Sequence, residues 1–60
     1  METLGTLKAL LTGKGLNHNT EVTRHRGIYH LLHICRNGAP VPLVITPNAS
    51  EVRDHIDLYL

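Results

Sequence analysis

Ile28-Tyr29-His30-Leu31-Leu32-His33-Ile34-Cys35-Arg36-Asn37-Gly38-Ala39-Pro40-Val41-Pro42-Leu43-Val44-Ile45-Thr46 is the stretch that decides the fold. Two apolar runs, rich in β-branched residues, meet at Asn37-Gly38. That dipeptide favours a type I′ turn, because both central residues of such a turn need positive φ. A two-residue turn pairs Arg36 with Ala39. The register then sets Ile34 against Val41, Leu32 against Leu43 and His30 against Ile45. Ile28, Leu32, Ile34, Val41, Leu43 and Ile45 fall on one face, which reads as the core face, with His30 among them. Pro40 and Pro42 lie opposite Cys35 and His33, at positions that donate no hydrogen bond to the partner strand. Their missing donors block pairing on the outer side, so this strand belongs at a sheet edge.

Working outward, Thr20–Arg24 reads as a first strand. A three-residue turn, His25-Arg26-Gly27, would put Gly27 in the left-handed region and Val22 beside His30. The strand order is sequential, with the apolar middle strand central. Before the sheet, Leu4, Leu7, Leu10 and Leu11 form one helical stripe. Thr3 is placed to cap that helix, and Gly13 or Gly15 to end it. After the sheet, Asn48 caps a second helix, with Glu51 placed to reach back to the cap. Val52, Ile56, Tyr59 and Leu60 supply its apolar stripe. The expected fold is α+β in the order α-β-β-β-α, one small domain over residues 1–60, with a single antiparallel three-stranded sheet and both helices on one face.

This arrangement leaves a second sheet face, made of Tyr29, Leu31, His33, Cys35, Val44 and Thr46. It is too apolar for plain solvent exposure, and such a patch marks an interaction surface. The competing arrangement has Leu16–Asn19 or a helix folded over it.

Composition narrows the functional classes. The chain has 60 residues, 42% apolar and 18% charged, with six Lys/Arg against five Asp/Glu. Disorder does not fit this balance. A single core of this size supplies only about 3–5 kcal/mol, so small folds lean on disulfides, metals or self-association. Cys35 is the only cysteine, which excludes an intrachain disulfide. No apolar run approaches the ~18 residues of a membrane span, and the N-terminal stretch lacks the pattern of a signal peptide. A cytoplasmic setting is expected.

Five histidines invite a metal reading, but His30 and His33 point to opposite faces of one strand, and no paired-cysteine spacing is present. No metal or other cofactor is expected. His33 and Cys35 share a strand face, as a thiolate–imidazole pair requires, but no third orienting group accompanies them, and a packed cysteine is the plainer reading. His30 reads first as a partly buried histidine bonded to backbone. Its functional reading is a general acid–base in RNA cleavage, with Arg24 or Arg26 at the phosphate.

The Leu-rich first helix, Gly27-Ile28-Tyr29-His30 at the start of the central strand, and Val44-Ile45-Thr46-Pro47 at the end of the last strand give the chain a pattern that loosely resembles the HicA-type messenger-RNA interferase toxins. The resemblance implies an α-β-β-β-α fold of double-stranded-RNA-binding type and ribonuclease activity. The family carries Gly-Ser-His at that strand start, with its catalytic histidine two residues after the glycine. Tyr29 occupies that position here, and His30 is displaced by one onto the other strand face.

The residues favour a small binding protein with no catalytic group. It would act as an inhibitor through protein contact with a larger host protein or complex, of the kind phages and mobile elements encode, and as a homodimer. Tyr29, Leu31, His33 and Val44 would make the contact, flanked by Arg24 and Arg26. Two alternatives are a nucleic-acid-binding regulator, using Arg24, Arg26 and Lys14 against phosphates, and the HicA-like RNase.

Overall fold

The computed structural model describes residues 2–60. Its elements are α1 (Leu4–Gly13), β1 (Thr20–His25), β2 (Ile28–Ile34), β3 (Pro40–Thr46) and α2 (Ala49–Tyr59). The strands form one antiparallel sheet in the order β1-β2-β3. Both helices pack on the same face, as the sequence predicts.

Local chemistry explains the helix ends. Thr3 caps α1: its hydroxyl accepts from the Thr6 amide, while the Thr6 hydroxyl accepts from the Thr3 amide. At the other end Gly15 takes φ +73°. Gly15 N–H donates to the Thr12 carbonyl and Leu16 N–H to the Leu11 carbonyl, which satisfies two orphan acceptors and turns Leu16 onto the core. The start of α2 differs from expectation. The Asn48 side chain caps nothing. Glu51 is instead held by the Thr46 hydroxyl, and that hydroxyl accepts from the Asn48 amide at 3.1 Å. Thr46 is buried, so this bond ties the end of β3 to the first turn of α2.

Both hairpins depart from the expected turns. Between β1 and β2 the turn has two residues, not three: His25 pairs with Ile28, and Arg26 and Gly27 both have positive φ, +52° and +80°. This shifts β1 by one, so Val22 sits opposite Leu31 rather than His30. Between β2 and β3 the loop has three residues, Arg36-Asn37-Gly38. Gly38 N–H donates to the Cys35 carbonyl, and Cys35 N–H to the Ala39 carbonyl. Gly38 takes φ +84°, while Asn37 stays out of the left-handed region and its side chain accepts from the Ala39 amide. A turn followed by a left-handed glycine is the usual three-residue alternative to a type I′ turn. The pairing is therefore offset near the loop, with Ile34 opposite Pro40 and Leu32 opposite Pro42. An irregularity between Leu31 and Leu32 then absorbs Leu43 and returns the strands to Leu31–Val44 and His30–Ile45.

These shifts decide which face is covered. Leu31 is fully buried, together with Val22 from β1, Leu7 and Leu11 from α1, and Val52 and Ile56 from α2. Tyr29 and Val44 pack against this cluster. The expected core face is the bare one: Ile45 is 58% exposed and Leu43 38%, while Val41, 44% exposed, now pairs with His33 and so turns to the opposite side. The sheet-face assignment is thus inverted, and a helix layer covers the face expected to meet a partner. Tyr59 and Leu60, placed on the buried stripe of α2 by periodicity, are exposed.

One surface clasp joins the helices. Arg53 of α2 is hydrogen-bonded and ion-paired to Glu2, and also reaches Asp57. Donation from the Thr6 hydroxyl, and then Arg53, hold the Glu2 carboxyl below its ordinary value of 4.5.

Leu31→Ala should cost about 2–5 kcal/mol, the range for emptying a buried leucine site, and leave most molecules unfolded in a domain this small. Leu32→Ala, one residue on, should cost clearly less; urea denaturation followed by circular dichroism distinguishes them. A folded-state pKa below the unfolded one stabilises above the unfolded value and loses that effect as pH falls through the folded value. The stability difference between wild type and Glu2→Gln should therefore be present at pH 7 and vanish on acidification through the carboxylate range.

Candidate functional site

Strand alternation and the observed pairing fix what stands on the bare face. β2 contributes Ile28, His30, Leu32 and Ile34; β1 contributes Glu21, Thr23 and His25; β3 contributes Pro40, Pro42 and Ile45, with Leu43 in the irregular step. Paired residues make rows across the sheet: Thr23–His30–Ile45 and Glu21–Leu32–Pro42. The face therefore grades from a polar column on β1 to an apolar column on β3. Its ionisable groups are Glu21, His25 and His30.

The expected contact residues are elsewhere. Leu31 is inaccessible, and Tyr29, His33 and Val44 are partly buried on the helix-covered face. Leu31 and Val44 serve the core because Val22, the inward residue of β1, aligns with them. Arg24 and Arg26 are exposed, as expected of flanking residues, but Arg24 is paired with Tyr29 and so belongs to the helix side. Its guanidinium lies over the Tyr29 ring, 5.8 Å from the centroid.

Arg24, Arg26, Gly27 and Tyr29 line an open cleft of about 740 Å³ against the start of α1, with Glu2 on its rim. Neither arginine is ion-paired among the described residues. Lys14 caps the opposite end of α1. A ten-residue helix, about 15 Å long, separates it from that cleft, so the three cations do not form one patch.

The catalytic candidates are dispersed. His30 stands on the bare face and Arg24 on the other, so the acid–base and phosphate-binding roles of an RNase are not brought together. The histidines are spread over a loop (His18), the bare face (His25, His30), the covered face (His33) and α2 (His55). The His55 ring lies against Tyr59, centroids 5.0 Å apart and planes tilted by 44°. Among the described residues no three His, Cys, Asp or Glu side chains are grouped to hold a metal ion. No helix among them is long and apolar enough to cross a membrane.

No known protein family, no curated protein and no solved structure matches the chain. The likeness to the HicA-type toxins therefore rests on the order of the elements, because the strand-start motif has Tyr29 where that family has its histidine.

Sequence reasoning missed Ile28, Leu32, Leu43 and Ile45 as surface residues because it assigned them to the core. The available signal was on β1. Only a two-residue turn keeps Val22 among aliphatic neighbours; a three-residue turn sets it beside a histidine.

Arg26 is the only non-glycine among the described residues with positive φ. That conformation costs an L-residue with a Cβ about 1–2 kcal/mol, and asparagine tolerates it better. Arg26→Asn should raise stability by up to about 1 kcal/mol in thermal or urea denaturation.

Proposed function

We propose that this protein is a small non-enzymatic binding module that acts by protein–protein contact through the bare face of its sheet, as an inhibitor or adaptor of a larger protein. One observation carries the reading: the sheet presents Ile28, Leu32, Ile34, Leu43 and Ile45 on a face with no layer over it. Contiguous apolar surface rimmed by polar groups is the usual mark of a protein-contact site. The face has no lysine or arginine, which a phosphate-binding surface would need. Its edges point the same way. Pro40 and Pro42 remove two backbone donors from the free edge of β3, which discourages strand addition there and leaves the face as the contact surface.

A second reading, nucleic-acid contact, draws on the unpaired Arg24 and Arg26 at one cleft. The two readings separate by residue and by salt. In the protein-contact reading, Leu32→Asp and Ile45→Asp remain folded by circular dichroism but lose capture of the partner protein from a lysate of the source cells. Arg24→Ala with Arg26→Ala retains capture, and moderate salt leaves it intact. Retention by the aspartate variants, with loss in the double arginine variant and at raised salt, would favour nucleic acid instead.

A further inference from the structure

We infer that the bare sheet face is covered by a second copy of this chain, in a face-to-face two-fold dimer whose strands run antiparallel to their counterparts. The inference rests on the reading of that face as a protein-contact surface: a second copy occupies it in the free protein, and a larger partner would displace that copy from the same face. Three properties of the face argue for it.

Charge is the first. A two-fold dimer requires that if residue i of one copy meets j of the other, j also meets i. Glu21 and His25 lie on the same column, one on either side of Thr23 in the outward-facing alternation. A two-fold axis running across the strands, along the row Thr23–His30–Ile45, reverses the second copy and sets each Glu21 against the other copy's His25. The only acid on the face is thereby matched twice with a histidine.

The second is the gradient of polarity. The same axis lays β3 on β3 and β2 on β2. Ile45 meets its own counterpart, Ile28 meets Leu32, and the polar β1 column forms a rim. At the centre His30 meets His30, where an N–H of one ring can donate to a ring nitrogen of the other and the remaining ring nitrogens are left to other partners. The other in-plane axis, along the strands, would set Glu21 on Pro42 and Thr23 on Ile45, burying a carboxylate against a proline ring. The axis across the strands instead gives each Glu21 carboxylate a ring N–H donor on the facing His25.

Area is the third. Three strands about 4.8 Å apart, two of seven residues and one of six and so about 20–23 Å long, give a footprint of about 300 Å². With side-chain relief each copy loses of order 500 Å² of accessible surface, about 1,000 Å² in total, which is the lower bound for a specific interface. The dimer is therefore concentration-dependent, and the partner of matching size and pattern is the chain itself. Packed sheets lie about 10 Å apart, so the result is a sandwich with a helix layer on each outer side.

Sedimentation equilibrium of the full chain from micromolar to millimolar concentration tests this. The expected result is a reversible monomer–dimer equilibrium. Ile45→Asp, at a site 58% exposed in the single chain and so harmless to its fold, should weaken it by more than about tenfold. Glu21→Lys alone and His25→Glu alone should each weaken self-association, because the first removes the carboxylate that accepts from His25 and the second sets two carboxylates together. Mixing those two variants should restore a dimer, now a heterodimer with Lys–Glu and His–Glu contacts. A monomer at millimolar concentration, a dimer indifferent to Ile45→Asp, or a mixture that fails to reassociate would each overturn the proposal. If the wild type is monomeric while Leu32→Asp and Ile45→Asp still abolish capture of a different protein, the self-dimer falls and the contact face stands. If capture is also unaffected, both fall.

Discussion

The row Val22–Leu31–Val44 is the constraint on which the rest of the molecule depends. It places the only aliphatic residue of β1 beside a fully buried leucine on the central strand, and both helices close over that row with Leu7, Leu11, Val52 and Ile56. Side chains alternate strictly along a strand, so fixing one row fixes both faces. Once Leu31 is inside, Leu32 and His30 are outside, and Ile45 follows His30. The bare face is thus a consequence of the core rather than a separate feature of the surface.

Turn geometry sets that row. The two-residue Arg26-Gly27 turn brings His25 to Ile28 and carries Val22 to Leu31. One further residue in the turn would have delivered Val22 to His30 and left the helices facing a histidine. Arg26 accepts an unfavourable backbone conformation to hold this register. The three-residue loop at Arg36–Gly38 shifts the other hairpin by one, and the irregular step at Leu43 cancels the shift before the core row is reached. The offset is absorbed at Leu43, and regular pairing holds at the row that packs against the helices.

This explains what could be read from the residues alone. Element order and the position of both helices follow from signals with a definite period: Leu4, Leu7, Leu10 and Leu11 on α1, Val52 and Ile56 on α2, and the apolar runs flanking Asn37-Gly38. The grouping of Tyr29, Leu31, Val44 and Thr46 on one face also follows, because β2 and β3 pair as expected beyond the irregular step. The choice of face does not follow from β2 or β3, since both are apolar on their two sides and alternation carries no sign there. Only β1 breaks the tie, through Val22, and its message depends on a turn length that Arg-Gly does not declare as clearly as Asn-Gly declares a hairpin. The candidate site inherited that ambiguity. The residues imply one uncovered apolar face, but alternation alone leaves open which side of the sheet it is.

The bare face and the small core have one origin. Sixty residues provide two helices, which cover one side of a three-stranded sheet and no more. A central strand apolar on only one side would suffice for such a fold, with polar residues outward, as in ordinary two-layer α+β domains. β2 instead carries Ile28, Leu32 and Ile34 outward, and β3 adds Ile45. None of these contributes to the covered core, and each raises the cost of the exposed state by the area it leaves in water. Polar residues there would give the single chain the same core with less exposed apolar surface. The proposed contact outside the single chain would account for their presence, and the two prolines on β3 disfavour strand addition at that edge.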